Sequence, residues 1–312
     1  CSAAPILEFG KLIAEAGIPD GVVNIITGHG DPCGRVLTSH PRVARVSFTG
    51  GPVSAGHVIR NTAENFAELS LELGGKSPFI VFDDADIDSA VNGSVAGIFA
   101  ASGQSCVAGS RLYLHDAIAD SFLAKMTAIA NSIQIGDPQA EDTQMGPLCT
   151  PAQIDHIETQ VARAVEQGGR ILAGGRRVDG MDGLFFQPTI IECPDPSMEI
   201  VDTELFGPVL AVLRFSDEDD VIAQANRSVH GLAAGLFTRD SARSMRVARR
   251  LRAGIVWVNT YRVISPIAEC GGSKQSGYGR ESGMQAVYDY TRPKTVWMNL
   301  SDDPVANPFE PR

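Results

Sequence analysis

Positive charge is scarce in this chain. Its 26 Lys and Arg stand against 37 Asp and Glu, for a formal net charge of −11. That balance argues against nucleic acid or an anionic membrane surface as partner, since both recruit clustered basic side chains. The densest basic stretch, Arg243 to Arg252, falls on a predicted helix and reads as a solvated face. No apolar run approaches the ~20 residues that span a bilayer, and no charged-then-apolar leader opens the chain, so a cytoplasmic protein is expected. The six cysteines, Cys1, Cys33, Cys106, Cys149, Cys193 and Cys270, form no CxxC pair and have no histidine at ligand spacing. This disfavours both a zinc site and a disulfide framework and leaves free thiols. His29, His40, His57, His115, His156 and His230 fit no ligand set or triad. The consecutive acids Asp83, Asp84, Asp86 and Asp88 read as charge placement at a helix start rather than as metal ligands. A GxGxxG loop is also missing, because Gly28-His29-Gly30 matches it only in part.

What is present is enough for a large core. The 312 residues are 44% hydrophobic, long enough for two domains. Helical and strand-like stretches alternate, which predicts an α/β fold. A helix is expected from Pro5 to Ala16, ended by Gly17, then buried strands at Val22 to Ile26 and Val43 to Phe48. Further strands are expected at Leu69 to Leu73, Phe79 to Phe82, Arg111 to Leu114, Val209 to Phe215, Leu232 to Phe237 and Ile255 to Val258. Helices are expected at Ile87 to Ala101, Ile118 to Ile133, Ala152 to Gln167, Val221 to Asn226 and Ala242 to Leu251. The third of these has Thr150 as N-cap and Pro151 in its first turn. The tail after Met298, with Pro304, Pro308 and Pro311, reads as an extended surface arm. The opening at Cys1 rather than Met has the look of a chain entered partway.

Two short stretches could carry chemistry. Gly103-Gln104-Ser105-Cys106 puts a thiol on a glycine-rich bend just past a predicted helix, where backbone N–H groups can point at an oxyanion. Alone, a cysteine in a small-residue turn is more often inert packing. Leu71-Glu72-Leu73-Gly74-Gly75-Lys76 puts a carboxylate in an apolar strand that runs into paired glycines. Apolar surroundings disfavour its charged form and raise its basicity toward neutrality. A Glu at a strand edge, paired with Lys76, is an equally good reading of those residues taken alone.

Together, at their separation in the chain, these stretches resemble the paired signatures of the NAD(P)-dependent aldehyde dehydrogenase superfamily. Other stretches resemble it in the family's order: Ala16-Gly17-Ile18-Pro19-Asp20-Gly21-Val22-Val23-Asn24, Phe48-Thr49-Gly50-Gly51, Glu204-Leu205-Phe206-Gly207-Pro208-Val209 and Gly271-Gly272-Ser273-Lys274-Gln275-Ser276-Gly277 with Gly279-Arg280-Glu281. The resemblance implies an aldehyde dehydrogenase-like α/β fold. Residues 1–74 would be part of a Rossmann-like NAD(P)-binding domain, 75–275 the catalytic domain and 276–312 a C-terminal segment. In that segment a strand near Lys294 to Asn299 would join a partner subunit's sheet in a homodimer or homotetramer.

It also implies roles. Cys106 would attack a small-molecule aldehyde, and the resulting thiohemiacetal would give up a hydride to NAD or NADP and leave a thioester. Glu72 would activate the water that hydrolyses this thioester to a carboxylic acid. Glu204 would hold the nicotinamide ribose hydroxyls beside Phe206, and Gly50 and Gly51 would let the backbone approach the pyrophosphate at a helix start. Lys76 would support the geometry around Glu72, and Glu281 would belong to a polar network near the site.

The chain departs from the family upstream. The Asn of a Pro-Trp-Asn stretch, which supplies half of the oxyanion hole, has no counterpart, nor do the Lys and acidic residue that contact the adenosine ribose. One missing oxyanion donor costs about 10²–10³ in rate. Ile267-Ala268-Glu269-Cys270 stands where relatives often carry a Pro-Phe pair. Two rivals to the dehydrogenase reading remain at this point: a cofactor-independent thiol esterase using Cys106 and Glu72, and an inactive truncated subunit.

Overall fold

A computed structural model describes residues 3–309; Cys1 and Pro311 lie outside the described residues. The chain opens with α1 (Ala3–Glu15) and α2 (Arg35–Ser39), followed by β1 (Arg45–Thr49), α3 (Pro52–Thr62) and β2 (Glu68–Glu72). Next come β3 (Pro78–Val81), α4 (Ile87–Phe99), β4 (Arg111–His115), α5 (Ala119–Ser132) and α6 (Pro151–Glu166). Then follow β5 (Arg170–Ala173), β6 (Thr189–Glu192), the single turn α7 (Glu199–Asp202), β7 (Val209–Phe215) and α8 (Glu218–Arg227). The last part holds β8 (His230–Gly231), β9 (Ala233–Phe237), α9 (Ser241–Arg250), β10 (Ile255–Val258), β11 (Ser273–Lys274), β12 (Gly277–Tyr278) and α10 (Gly283–Asp289).

Seven strands form the main sheet in the order β10-β9-β3-β4-β7-β6-β5, parallel throughout except for the β5–β6 edge pair. The strand period of two sends Phe79 and Val81 to one face and Ile80 to the other, and likewise Leu112 and Leu114 opposite Tyr113. Both faces are buried. Phe79, Val81, Leu112 and Leu114 pack with Ile98 of α4 and Phe122 and Met126 of α5, while Ile80 and Tyr113 pack with Ile157 of α6 and Val221 of α8. Helices on both faces explain why these strands read as continuous apolar runs rather than alternating ones.

The predicted helix starts hold where a side chain can bond the first turn. The Thr150 hydroxyl accepts from the Gln153 N–H with Pro151 next in line, and Asp86 accepts from the Ser89 N–H. Asp84 accepts instead from the Thr238 hydroxyl and from the N–H groups of Arg239 and Asp240, which ties α4 to the start of α9. The basic stretch on α9 is matched by acids: Arg243 bridges Asp83 and Asp84, Arg246 pairs with Glu218, and Arg250 with Asp219. Among the described residues no helix is long and apolar enough to cross a membrane.

A second sheet, β1-β2-β12, joins the two ends of the chain. β1 runs parallel to β2, and β12 returns antiparallel to it with Gly277 opposite Glu72. Only glycine fits there, because a Cβ on Gly277 would stand 1.9 Å from the Leu71 carbonyl oxygen.

Two expectations need correction. Val22 to Ile26 is not a buried strand: Val22 is 67% exposed and no described strand pairs with the segment, so its backbone lacks the neighbour that a strand requires. α4 stops at Phe99, two residues early, because Ala101, Ser102 and Gly103 all take left-handed backbone with φ of 54°, 55° and 70°. Strands β5, β6, β8, β11 and β12 escaped prediction, as did the short α2, α7 and α10, and α3 was expected only as a helix start behind Gly51. Residues 294–299 form no strand within the single chain, and Trp297 there is 93% exposed.

Candidate active site

The left-handed bend after α4 delivers Cys106 to the mouth of the main sheet. Gly103 allows it: a Cβ there would lie 2.2 Å from the Gly207 carbonyl, so the cysteine loop and the Glu204 to Pro208 loop pack backbone to backbone. The Tyr261 hydroxyl donates to the Val107 carbonyl at 2.8 Å and holds the bend from the other side. Cys106 itself is half-buried. Burial pushes its thiol up, the N–H groups of Val107 and Cys106 act against that, and the nearby carboxylates of Glu204 and Glu72 push it further up.

Glu72 is the last residue of β2, fixed between Thr49 of β1 and Gly277 of β12. Its carboxyl is raised to about 7, first by burial, then by Glu281, with Arg280 opposing. Its Oε1 is buried with no hydrogen-bond partner among the described residues. That oxygen abuts Gly271, where a Cβ would come within 2.7 Å of it. Arg280 is anchored on the Gly272 and Gly279 carbonyls, and Glu281 accepts from the Ser47 hydroxyl. Glu281 also forms a two-way backbone bridge with Cys270, at 2.8 and 2.7 Å. Glu72, Glu281, Arg280 and Cys270 are thus one cluster, and the charge of Glu72 is felt by the Cys106 thiol.

The Glu204 carboxylate rests on the paired glycines. Its Oε1 accepts the Gly75 N–H at 3.0 Å, and its Oε2 would be only 1.8 Å from a Cβ on Gly74. Burial raises its pKa, opposed by the Gly75 N–H and by Lys76. Phe206 takes a left-handed φ of 52° and is 42% exposed beside this carboxylate. Lys76 is only 2% exposed, and its Nζ has no hydrogen-bond partner among the described residues. Burial and Arg111 lower it to about 7, while Cys193, Glu204 and Asp202 pull it up. The lysine therefore feels Cys193, Glu204 and Asp202. Among the described residues no hydrogen bond joins Lys76 to Glu72, as the strand-edge reading of that carboxylate would have required.

Gly50 donates its N–H to the Glu72 carbonyl at 3.1 Å, and Gly51 is the N-cap of α3. That helix start carries no acidic residue in its first turn and no side-chain cap, and the space where a Gly51 Cβ would stand is open. Sequence reasoning missed Tyr261 and Arg280 as site residues. Cys270 registered only as a departure from a Pro-Phe pair.

Residues 2–296 match the family profile described as Aldehyde dehydrogenase family. The chain belongs to that family. It is 53% identical over 307 residues to (Z)-2-((N-methylformamido)methylene)-5-hydroxybutyrolactone dehydrogenase of Acinetobacter baylyi, covering 98% of this chain and 63% of that protein. It is 42% identical over 303 residues to betaine aldehyde dehydrogenase of Cereibacter sphaeroides, covering 97% and 62%. Among solved structures, PnpE from Pseudomonas sp. WBC-3 and PnpE in complex with nicotinamide adenine dinucleotide each superpose with a TM-score of 0.94 at 41% identity, over 97% of this chain and 63% of theirs. A putative aldehyde dehydrogenase from Burkholderia cenocepacia also gives 0.94, at 42% identity and the same coverage. The chain thus spans less than two thirds of the length of these family members.

Proposed function

We propose that the protein oxidises a small-molecule aldehyde to a carboxylic acid, with Cys106 as nucleophile and Glu72 as general base. The observation that carries this reading is the Glu72 carboxyl, with a buried Oε1 that has no partner among the described residues and a pKa raised to about 7, on the stretch whose Gly75 packs against the Cys106 carbonyl. A base of that strength is half ionised at cellular pH and can accept a proton from water.

The residues fit a nicotinamide dinucleotide. The uncapped start of α3 behind Gly51 suits a pyrophosphate, since unshared N–H groups and the helix dipole favour an anion there. Glu204, whose Oε1 is already fixed by Gly75, would hold ribose hydroxyls, with the half-exposed Phe206 beside it. Family members seen with bound dinucleotide, PnpE among them, support the same assignment. When bound, NAD or NADP supplies the hydride acceptor that turns a thiohemiacetal on Cys106 into a thioester.

The chain's own residues do the rest. Cys106 adds its sulfur to the aldehyde carbon, and the Val107 N–H favours the thiolate form. Glu72 then takes a proton from the water that attacks the thioester carbon. The exposed segment 294–299 would join a partner's sheet in a homodimer or homotetramer.

The test is formation of reduced cofactor, read at about 340 nm, with a panel of aldehydes that includes betaine aldehyde. Signal from the wild type and none from Cys106→Ala is the expected result. Aryl-ester cleavage independent of nucleotide, with no reduced cofactor from any aldehyde, would overturn it.

A further inference from the structure

α4 ends at Phe99, and the chain turns through left-handed backbone at Ala101, Ser102 and Gly103 before it reaches Cys106. At Ala101 and Ser102, which carry a Cβ, that backbone is strained and persists only where the surroundings fix it. One dipeptide far downstream holds both ends of the bend. Tyr261 donates its hydroxyl to the Val107 carbonyl just beyond Cys106. Arg262 reaches the other end: its Nη1 donates to the carbonyls of Ala96 and Ala100, at 3.2 and 3.3 Å. These carbonyls lie at the C-terminal end of α4, where the helix dipole favours a cation. The Gly97 carbonyl, which the Ala101 N–H would take in a longer helix, accepts the Gly109 N–H instead at 3.2 Å.

The dipeptide is itself anchored. Asn259 exchanges two hydrogen bonds with Thr238, its Oδ1 accepting the N–H at 3.0 Å and its Nδ2 donating to the carbonyl at 2.9 Å. Thr238 follows directly on β9 of the main sheet. The Tyr261 ring packs against Phe79 and Trp257, with centroids 5.1 and 4.7 Å away. Arg262, at a left-handed φ of 62°, stands between this anchor and the exposed Val263 and Ile264. We propose that Arg262 is a positioning residue for Cys106: together with Tyr261 it clamps the bend at both ends, so that the main sheet fixes the place of the nucleophile through residues 259–262.

The proposal rests on the reading of Cys106 as the nucleophile, and iodoacetamide labelling of Cys106 in the full protein tests the clamp without turnover. The N–H groups of Val107 and Cys106 favour the thiolate, so a relaxed bend makes a slower thiol. In Arg262→Met, labelling of Cys106 falls several-fold and kcat falls by about 10²-fold, while the KM for cofactor holds. A single nitrogen makes both bonds to α4, so an ammonium can take its place, and Arg262→Lys restores most of the labelling rate. That rescue separates a clamp from a variant that merely folds badly. Labelling equal to wild type in Arg262→Met overturns the proposal, as does an Arg262→Lys no faster than Arg262→Met. So does a raised KM for aldehyde with kcat and labelling unchanged, which would make Arg262 a substrate contact. Absence of reduced cofactor in the wild type removes the function proposed above and leaves the labelling test of the clamp standing.

Discussion

The carbonyl oxygen of Cys106 lies 2.5 Å from the point where a Cβ on Gly75 would stand. The stretch that bears the candidate base and the stretch that bears the candidate nucleophile are therefore in backbone contact, and a side chain as small as methyl would part them.

Gly75→Ala is expected to overpack that contact. Overpacking costs about 1–3 kcal/mol of stability, and a shift of the nucleophile by even an ångström lowers kcat/KM by about 10²-fold. Denaturant midpoints and steady-state rates measure the two effects. Gly30→Ala is the control for stability, since open space surrounds that position and its midpoint should hardly move. Equal midpoints for wild type and Gly75→Ala would refute the contact.

Glu72 makes stability depend on pH in a definite direction. Its folded-state pKa is raised from 4.5 to about 7, so between those values the native state holds more protons than the unfolded chain. Stability is then fully present below pH 4.5 and declines as pH rises through 7. Glu72→Gln removes that decline, so its thermal midpoint should equal the wild type's at low pH and exceed it by a few degrees at pH 8. Turnover should show the reverse, with the rising limb near pH 7 lost in the variant. Parallel melting curves across the whole range would contradict the assignment.

For Lys76 the sign is opposite. Burial depresses its pKa from 10.5 to about 7, so its contribution to stability is present above 10.5 and lost as pH falls toward 7. Lys76→Met, which fills the same space without the buried charge, is expected to melt higher than wild type at pH 7.5, with the gap closing near pH 10. Because the ammonium answers to Glu204, the same variant should raise the KM for cofactor while leaving iodoacetamide labelling of Cys106 unchanged. A changed labelling rate with an unchanged cofactor KM would tie Lys76 to Glu72 instead.

Much of the main sheet was legible before any coordinates. β3, β4, β7 and β10 are short β-branched and aromatic runs bounded by turn residues, and Thr150-Pro151 marks a helix start by local chemistry alone. Val22 to Ile26 misled because composition reports affinity for a core and cannot report whether a neighbouring strand is there. β5 and β6 went unseen because their apolar runs are shorter than the four-residue runs at β3 and β10: Ile171 to Ala173 in one, and only Ile190 and Ile191 in the other. Cys106 and Glu72 were found through flanking motifs. The left-handed turn that leads through Gly103, and the burial of Lys76, depend on Gly207 and Arg111, which are far away in sequence.

The pairing of β12 with β2 sets an order of assembly. Glu72 is made early, but the strand that closes over it, Gly277 and Tyr278, leaves the ribosome some two hundred residues later. Ser276, which donates to the Gly74 carbonyl and receives the Gly231 N–H, arrives with it. Until then the carboxyl of Glu72 stays hydrated and acidic, and the bend that bears Cys106 itself waits for Gly207 and Tyr261. A growing chain thus brings the candidate base and the candidate nucleophile together only after segments far downstream of both have been made.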